Sequence, residues 1–292
     1  MLAITSVSAG GSVQASHTAP SGEELANTTY TGIRDHAVAL QDGHWAGAPF
    51  VTGGSSRPTV GLVKDFRLTG DLNNDGMDEA VVLLWEHSGG SGTRIYIAVA
   101  GRHRRETVNL ASAFIGDRVQ VRSGAIRDGR IEIDVVQQGP DDAACCPTQT
   151  ATRRWRLDAT GLTEEETGFT GQLSLQDLGG ESWILTRLTG KQVTPQEPEI
   201  TLVVGTTRIS GNSGCNHYSA VVTTGGIPGE LFIEAAGTTY LTCRPEVMTL
   251  ENRYLDALGR VTRYGFLAGK LLLTWEKDQA IYTMLFKPRT AD

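Results

Sequence analysis

The sequence lacks the features that would place it in a membrane or on nucleic acid. Its 292 residues include no apolar run of the roughly 18 residues that a membrane-spanning helix needs. The formal net charge is −7, and the densest basic cluster is the four-residue run RHRR at 102–105. We expect this run to be a solvated hairpin turn after a strand at 95–100. A nucleic-acid partner and a transmembrane segment are therefore not indicated.

Signatures of known catalytic sites are also missing. The sequence has no Walker loop, no dinucleotide fingerprint and no HExxH. The runs around Ser91 and Ser213 each lack the second glycine of a nucleophile elbow. Two of the carboxylates Asp65, Asp117 and Asp134 could in principle form a glycosidase pair. Their spacing in the sequence does not establish their distance in the fold. An unrecognised hydrolase in the N-terminal half is therefore only the alternative to a non-catalytic protein.

The first 24 residues contain a weak apolar stretch and no charged segment before it. The triplet Val13-Gln14-Ala15 is similar to the cleavage end of an export signal. We interpret residues 1–24 as the remnant of an export signal or as a flexible tail. The prediction that follows is an exported protein of the periplasm, the cell envelope or the extracellular space, whose partner is an envelope protein or a small ligand.

Residues 25–162 are predicted to be a β-rich N-terminal domain. Thirty-five glycines in the whole chain and many short Val- and Ile-rich runs indicate antiparallel strands separated by turns. Asp128-Gly129 is a strong signal for a two-residue hairpin turn. The polar segment 163–177, with three consecutive glutamates, is predicted to be a linker. The strand candidates are 60–68, 79–86, 94–100, 118–126 and 130–137.

From residue 178 onward the pattern predicts strands with one amphipathic helix. In CRPEVMTLENRYLDALG, apolar residues recur at helical spacing, Pro245 suits the first turn, and Gly259 suits the end of the helix. Runs at 260–264, 270–275 and 281–286 then predict a three-stranded antiparallel meander. The fold class is therefore a β-rich α+β protein with an N-terminal antiparallel β domain.

Several segments of the second half resemble the META (HslJ-like) domain family over about residues 178–290. They are ESWILTRLTG, SGNSGCNHYSA, TTYLTCRPEVMTLENRYLDAL, LAGKLLLTW and IYTMLFKP. The resemblance implies a compact α+β module, found in bacterial envelope proteins and without an established catalytic activity. It assigns no role to His217. The function that it implies is that of a binding or stress-protective accessory protein.

Cys215 lies two residues before His217, which raises three possibilities: a catalytic pair, a metal site, or the scaffold of a turn. A catalytic cysteine needs a base within reach and a lowered pKa, and neither follows from adjacency in sequence. In an exported protein, two cysteines of one domain more often form a bridge. We therefore predict a disulfide between Cys215 and Cys243, with Gly211, Gly214 and Asn216 shaping the turn.

Cys145 and Cys146 are adjacent in the sequence and precede a proline. Three alternatives stay open for this pair: a vicinal disulfide or other structural bridge, inert thiols, or metal or redox chemistry. No CxxC or HxxxH spacing supports a zinc site.

The segment GDLNNDGMDEAVVLL contains the first half of a calcium-loop pattern. Asp71, Asn73 and Asp75 alternate before Gly76, with the Met77 carbonyl and Glu79 as later candidate ligands. Position twelve is valine, which excludes a standard EF-hand and resembles the calcium loops of integrin-type propeller blades. A weak Ca²⁺ site and a metal-free strand connection rich in Asx turns are the two alternatives.

Overall fold

The computed structural model describes residues 18–90, 92–143, 146–193 and 199–289. The cleavage-site triplet of the predicted export signal lies outside these described residues, and so does Cys145. Antiparallel strands make up most of the described chain, and only one of its helices exceeds two turns. The predicted fold class, a β-rich α+β protein, is therefore confirmed.

The chain joins the fold before residue 25. Helix α1 (Gly22–Ala26) begins after Ser21, whose side chain accepts a hydrogen bond from the Glu24 amide, while the Glu24 carboxylate accepts one from the Ser21 amide. This capping box fixes the first helical turn, and Leu25 inside it is 1% exposed. The structure thus corrects the predicted tail boundary for residues 18–24, and the S-x-x-E pattern was the signal for it.

Two sheets form the rest of the N-terminal half. Strands β1 (Thr29–Tyr30) and β2 (Val38–Ala39) pair with each other and, together with α1, cover the outer face of the first sheet. The inner faces of the two sheets share a buried core that includes Trp155. In the described residues the first sheet has the order β3-β4-β5-β6-β7 and the second β11-β10-β9-β8. Their strands are β3 (His44–Ala46), β4 (Thr59–Gly70), β5 (Glu79–His87), β6 (Arg94–His103), β7 (Glu106–Asp117), β8 (Gln120–Arg127), β9 (Arg130–Gln137), β10 (Gln149–Asp158) and β11 (Gly161–Gln172).

The predicted strands of this half are present as β4, β5, β6, β8 and β9. Asp128 and Gly129 connect β8 and β9 with φ angles of 50° and 68°, as a two-residue hairpin turn of this type requires. Arg104 and Arg105 occupy the turn between β6 and β7. The basic cluster is therefore a hairpin turn, as its sequence indicated.

The segment that we expected to be a linker is mostly strand β11, so the structure corrects this expectation. Glu164 binds the Nε and Nη2 atoms of Arg153 at 2.7 Å each, and Glu165 binds Arg130 at 2.8 Å. Glu164 and Glu165, two of the residues that suggested a solvated linker, are thus partners of arginines on β10 and β9. Polar composition did indicate exposure, but an edge strand is exposed as well.

The second half is built on a sheet of ten strands within the described residues. Its main order is β17-β16-β15-β14-β12-β21-β20-β19, with β13 beside β12 and β18 beside β16. Helix α2 packs Tyr254 and Leu258 into the core of this sheet. The helix starts at Pro245 and is followed by Gly259, as predicted. The elements are β12 (Ser182–Leu188), β13 (Lys191–Gln192), β14 (Thr201–Val204), β15 (Arg208–Asn212), β16 (His217–Thr224), β17 (Leu231–Ile233), β18 (Gly237–Thr238), α2 (Pro245–Leu258), β19 (Arg263–Leu267), β20 (Lys270–Lys277) and β21 (Ala280–Pro288).

The two halves meet where the β19–β20 hairpin lies against β8. The Gly269 amide donates to the Val121 carbonyl at 2.9 Å, and the Phe266 amide donates to the side chain of Gln120 at 2.8 Å. At the edge of this contact, Lys270 forms an ion pair with Asp65 at 2.7 Å. Backbone and side-chain bonds therefore join the halves directly.

Candidate functional site

The Gly-Cys-Asn motif forms the turn between β15 and β16. Within it, Cys215 is 5% exposed and forms a disulfide with Cys243, with the two Cα atoms 5.9 Å apart. His217 is exposed at the start of β16. The thiol is thus part of a covalent bridge that ties the turn to the segment preceding α2. The structure therefore contains the predicted disulfide and leaves no thiol here for a nucleophile.

A buried carboxylate holds this turn against helix α2. Glu251 is 3% exposed, and its Oε2 atom accepts hydrogen bonds from the Ser213 hydroxyl and from the amides of Cys215 (3.2 Å) and Asn216 (2.8 Å). Its Oε1 atom accepts from the side chain of Asn216 at 2.8 Å. Burial opposes ionisation, but the bonds from Ser213 and Asn216 outweigh it and lower the pKa of Glu251.

Asn216 connects this network to the surface. Its Oδ1 atom accepts from the Thr239 hydroxyl at 2.8 Å and from the Leu241 amide at 2.7 Å. Between these two fixed points lies Tyr240, whose side chain is 99% exposed, and Leu241 beside it is 59% exposed. The polar groups of the motif therefore bond to one another and to this segment, which presents an aromatic and an aliphatic side chain to solvent.

Two tyrosines complete the buried layer below the motif. The Tyr254 and Tyr218 hydroxyls lie 2.7 Å apart, and the Tyr218 hydroxyl donates to the Thr201 carbonyl at 3.0 Å. Burial raises the pKa values of both phenols. A Cβ atom on Gly211 would lie 2.0 Å from that same carbonyl oxygen of Thr201. Glycine is thus required at 211 because β15 passes too close to β14 for any side chain.

The second candidate, the 71–79 loop, is closed by its own backbone amides. Asp71 accepts from the amides of Asn74 (2.7 Å) and Gly76 (3.0 Å), and Asp75 accepts from the amide of Met77 (2.8 Å). These are the bonds of an Asx-rich strand connection. The geometry therefore accounts for the alternating acidic residues by turn formation within the loop.

An amide group lies between two carboxylates at the centre of this loop. The Nδ2 atom of Asn73 donates to Asp75 at 3.0 Å and to Glu79 at 3.1 Å. Burial and then the charges of Asp75 and Asp71 raise the pKa of Glu79, which is 2% exposed. No group of three or more His, Cys, Asp or Glu side chains in the described part of the chain is arranged to hold a metal.

A calcium ion would need the Asn73 amide to turn its oxygen toward Asp75 and Glu79. The donor set that would then surround the ion is that of the predicted site, including the Met77 carbonyl. In the conformation described, the amide nitrogen occupies this position instead. The calcium site therefore stays a prediction.

The carboxylates of the hydrolase alternative are all engaged by neighbouring groups. Asp65 binds Lys270, Asp117 binds Arg118, and Asp134 accepts hydrogen bonds from Ser123 and Thr152. Cys146 is disulfide-bonded, and its Sγ atom lies 3.4 Å from Arg263. The predicted vicinal bridge involves Cys145, which lies outside the described residues.

No motif in the sequence predicted the roles of Glu251, Ser213 and Thr239. Glu251 lies on the buried stripe of α2, four residues after Val247 and three before Tyr254. A charged residue on the apolar face of a helix needs a buried partner, and this position was the signal that could have revealed the network. Ser213 and Thr239 gave no comparable sign, because their roles depend on strands that meet only in the folded chain.

The protein is rich in strands, and its second half is a sheet with one long helix packed on it. A disulfide links the turn between β15 and β16 to the segment before this helix. The family model of the META domain matches residues 176–288. The C-terminal part of this chain is therefore a META domain, and the recognition made from its motifs is confirmed. At the level of the family, this match suggests a non-catalytic, stress-related or accessory role.

Other comparisons add little to this assignment. The chain is similar to an NMR structure of a protein from Burkholderia xenovorans, with 25% identity over 40% of this chain and 87% of that chain and a TM-score of 0.32. So low a TM-score does not establish a shared fold. No curated protein matches the chain.

Proposed function

We propose that this protein is an exported, non-catalytic accessory protein of the bacterial envelope or extracellular space that acts by binding an envelope protein or small ligand. The proposal divides the chain into a β-rich N-terminal domain, predicted at residues 25–162 and extended here to include α1 and β11, and a META-like domain, predicted at residues 178–290. The META match supports the accessory role, and the location and the binding role go beyond it.

The proposal rests mainly on the finding that the polar and thiol groups of the motif are bonded within the protein, so that they are not free for catalysis. Ser213, Asn216 and Glu251 bond to one another, and Cys215 is in a disulfide. Such a network rigidifies the segment that it holds. The rigid segment carries Tyr240, and a tyrosine fixed in an exposed position provides contact area to a partner at a low entropic cost.

The disulfide agrees with export. A disulfide persists in an oxidising compartment such as the periplasm or the extracellular space. Among the residues that the structure describes, no helix is both long and apolar enough to cross a membrane.

The test uses photo-crosslinking in intact cells. A photoreactive phenylalanine at position 240 should capture a partner, whereas the same residue at Ile281, which is 77% exposed on another hairpin, should not. Fractionation of the same cells should recover the protein outside the cytoplasm. Equal capture at both positions, or a cytoplasmic protein with reduced cysteines, would contradict the proposal.

The alternative function, a hydrolase in the N-terminal half, has no comparable support, because Asp65, Asp117 and Asp134 are each engaged by a neighbour. Glycoside or ester hydrolysis by the purified chain that disappears when Asp134 is replaced by alanine would favour this alternative instead.

A further inference from the structure

A pocket of about 380 Å³ lies between strand β4 on one side and helix α1 with residues 42–43 on the other. It is far along the chain from the META motif. Two sets of hydrogen bonds frame it. On one side the Gly43 amide donates to Ala26 and the Leu62 amide donates to Gly43. On the other side Arg67 donates to the Pro20 carbonyl at 3.0 Å. The pocket is therefore bounded by tethered elements on both sides.

The pocket exists because β4 bulges away from β5. Leu62 pairs with Leu84 and Arg67 with Val82, so four residues of β4 lie opposite a single residue of β5. Asp65, inside the bulge, has a φ of 65°. A bulge of this kind bends the strand and redirects its side chains, and here it opens the outer face of the sheet beside α1.

The floor of the pocket is apolar. Leu25 and Val82 are 1% exposed and Phe66 is 7% exposed, and Leu62 and Val63 are half-buried around them. The volume falls within the range of small-molecule pockets, roughly 300–1,000 Å³. A cavity with such a lining accepts an alkyl chain more readily than a polar group, because a polar group would lose its hydrogen bonds to water there.

The rim is charged and carries two cations and two carboxylates. Lys64, Arg67 and Asp42 are exposed at the mouth of the pocket. The rim carboxylate of Asp65 is bound by Lys270 at 2.7 Å, and this hydrogen bond lowers the pKa of Asp65. With Asp65 compensated by Lys270, two cations, Lys64 and Arg67, face one remaining rim carboxylate, Asp42, so the mouth keeps a positive excess that favours an anion.

We propose that this pocket binds a medium-chain amphiphile with an anionic head group, of which a free fatty acid is the simplest. The chain would lie against Leu25, Leu62 and Phe66, and the carboxylate would lie at Lys64 and Arg67. This inference does not depend on Tyr240 or on the partner proposed above. It identifies a second binding surface with its own ligand chemistry.

Calorimetric titration of the full chain with decanoate, below its micellar concentration, tests the proposal. We expect one site per chain. Ala26→Phe fills the pocket and should weaken binding about tenfold or more, whereas Ala39→Phe makes the same change at an exposed position of β2 and should leave binding unchanged. Lys64→Ala should weaken binding several-fold, and Lys191→Ala, an exposed lysine in β13, should not.

Three results would overturn the proposal. The first is that the chain binds neither decanoate nor phosphatidylglycerol vesicles, and the second is binding that Ala26→Phe leaves intact while circular dichroism shows a native fold. The third is equal binding of decyltrimethylammonium, which carries the opposite charge on the same chain. Vesicles of phosphatidylglycerol identify the source of the ligand: cosedimentation that Ala26→Phe abolishes, without binding of free decanoate, would mean that a membrane lipid is the target.

Discussion

The side-chain amide of Asn216 donates a 2.8 Å hydrogen bond to the carboxylate of Glu251, 35 residues further along the chain. Through this bond, helix α2 holds the motif turn from below, while the Oδ1 atom of the same amide holds the 239–241 segment from above. A single asparagine therefore connects the buried carboxylate to the exposed Tyr240.

Replacement of Glu251 tests whether this network stabilises the META domain. Glu251→Ala leaves the buried amides of Cys215 and Asn216 without an acceptor, so we expect a loss of about 3 kcal/mol or more of unfolding free energy. Glu246→Ala, at an exposed glutamate of the same helix (63% exposed side chain), should change it by less than about 0.5 kcal/mol. Urea denaturation of both variants measures the difference, and similar losses would contradict the structural role.

The same carboxylate predicts a pH dependence. The pKa of Glu251 is lower in the folded state than its ordinary value of 4.5, so the folded state binds its proton less tightly. Its contribution to stability is therefore complete above pH 4.5 and is lost as the pH falls through the folded-state pKa. Glu251→Gln should flatten the decline of the melting temperature on acidification, and a decline with the wild-type slope would show that other groups cause it.

The disulfide between Cys215 and Cys243 should contribute strongly to stability. It closes a separation of 28 residues, for which the chain-entropy model gives roughly 3–4 kcal/mol. Cys215→Ser and Cys243→Ser should lower the melting temperature by the same amount, and the double variant by no more than either. Peptide mapping of non-reduced protein should recover the linked pair, and free thiols at both positions in exported protein would refute the bridge.

Gly211 should tolerate no side chain. In Gly211→Ala the new Cβ would meet the Thr201 carbonyl oxygen at 2.0 Å, so β14 and β15 must separate. The expected cost is on the order of 3 kcal/mol. Gly226→Ala is the matched control, because a Cβ there has no atom within 4 Å. Thermal melting should separate the two variants clearly, and equal melting temperatures would mean that the strands can move apart freely.

Calcium binding by the 71–79 loop remains to be tested. Without the bidentate glutamate at position twelve, the dissociation constant should be on the order of 10⁻⁴–10⁻³ M. Five millimolar Ca²⁺, in roughly tenfold excess over such a constant, should then stabilise the chain by about 1.4 kcal/mol. Asp75→Ala should abolish this gain and Asp78→Ala, in the same loop but outside the ligand pattern, should retain it. Identical melting curves with Ca²⁺ and with chelator would leave the loop as a metal-free strand connection.

Local patterns in the sequence were sufficient to predict the helix and the hairpin turn whose formation depends on residues close together in the chain. Helix α2 has its proline, its apolar spacing and its terminal glycine within 15 residues, and Asp128-Gly129 determines its hairpin alone. These signals work because capping and turn formation involve groups a few positions apart. The META motifs were recognised for a similar reason, since each is a short contiguous run.

Features that depend on contacts between residues far apart in the sequence were visible only in the tertiary structure. The segment 163–172 is part of strand β11 because it pairs with β10, and its glutamates bind Arg153 on β10 and Arg130 on β9, which its own composition could not show. Glu251 gained its four donors, and the bulge of β4 became a pocket, only when elements far apart in sequence came together. Hydrogen-bond satisfaction and cavity shape depend on which surfaces meet. The sequence determined the elements and their likeness to a family, and the packing of those elements determined the network and the pocket.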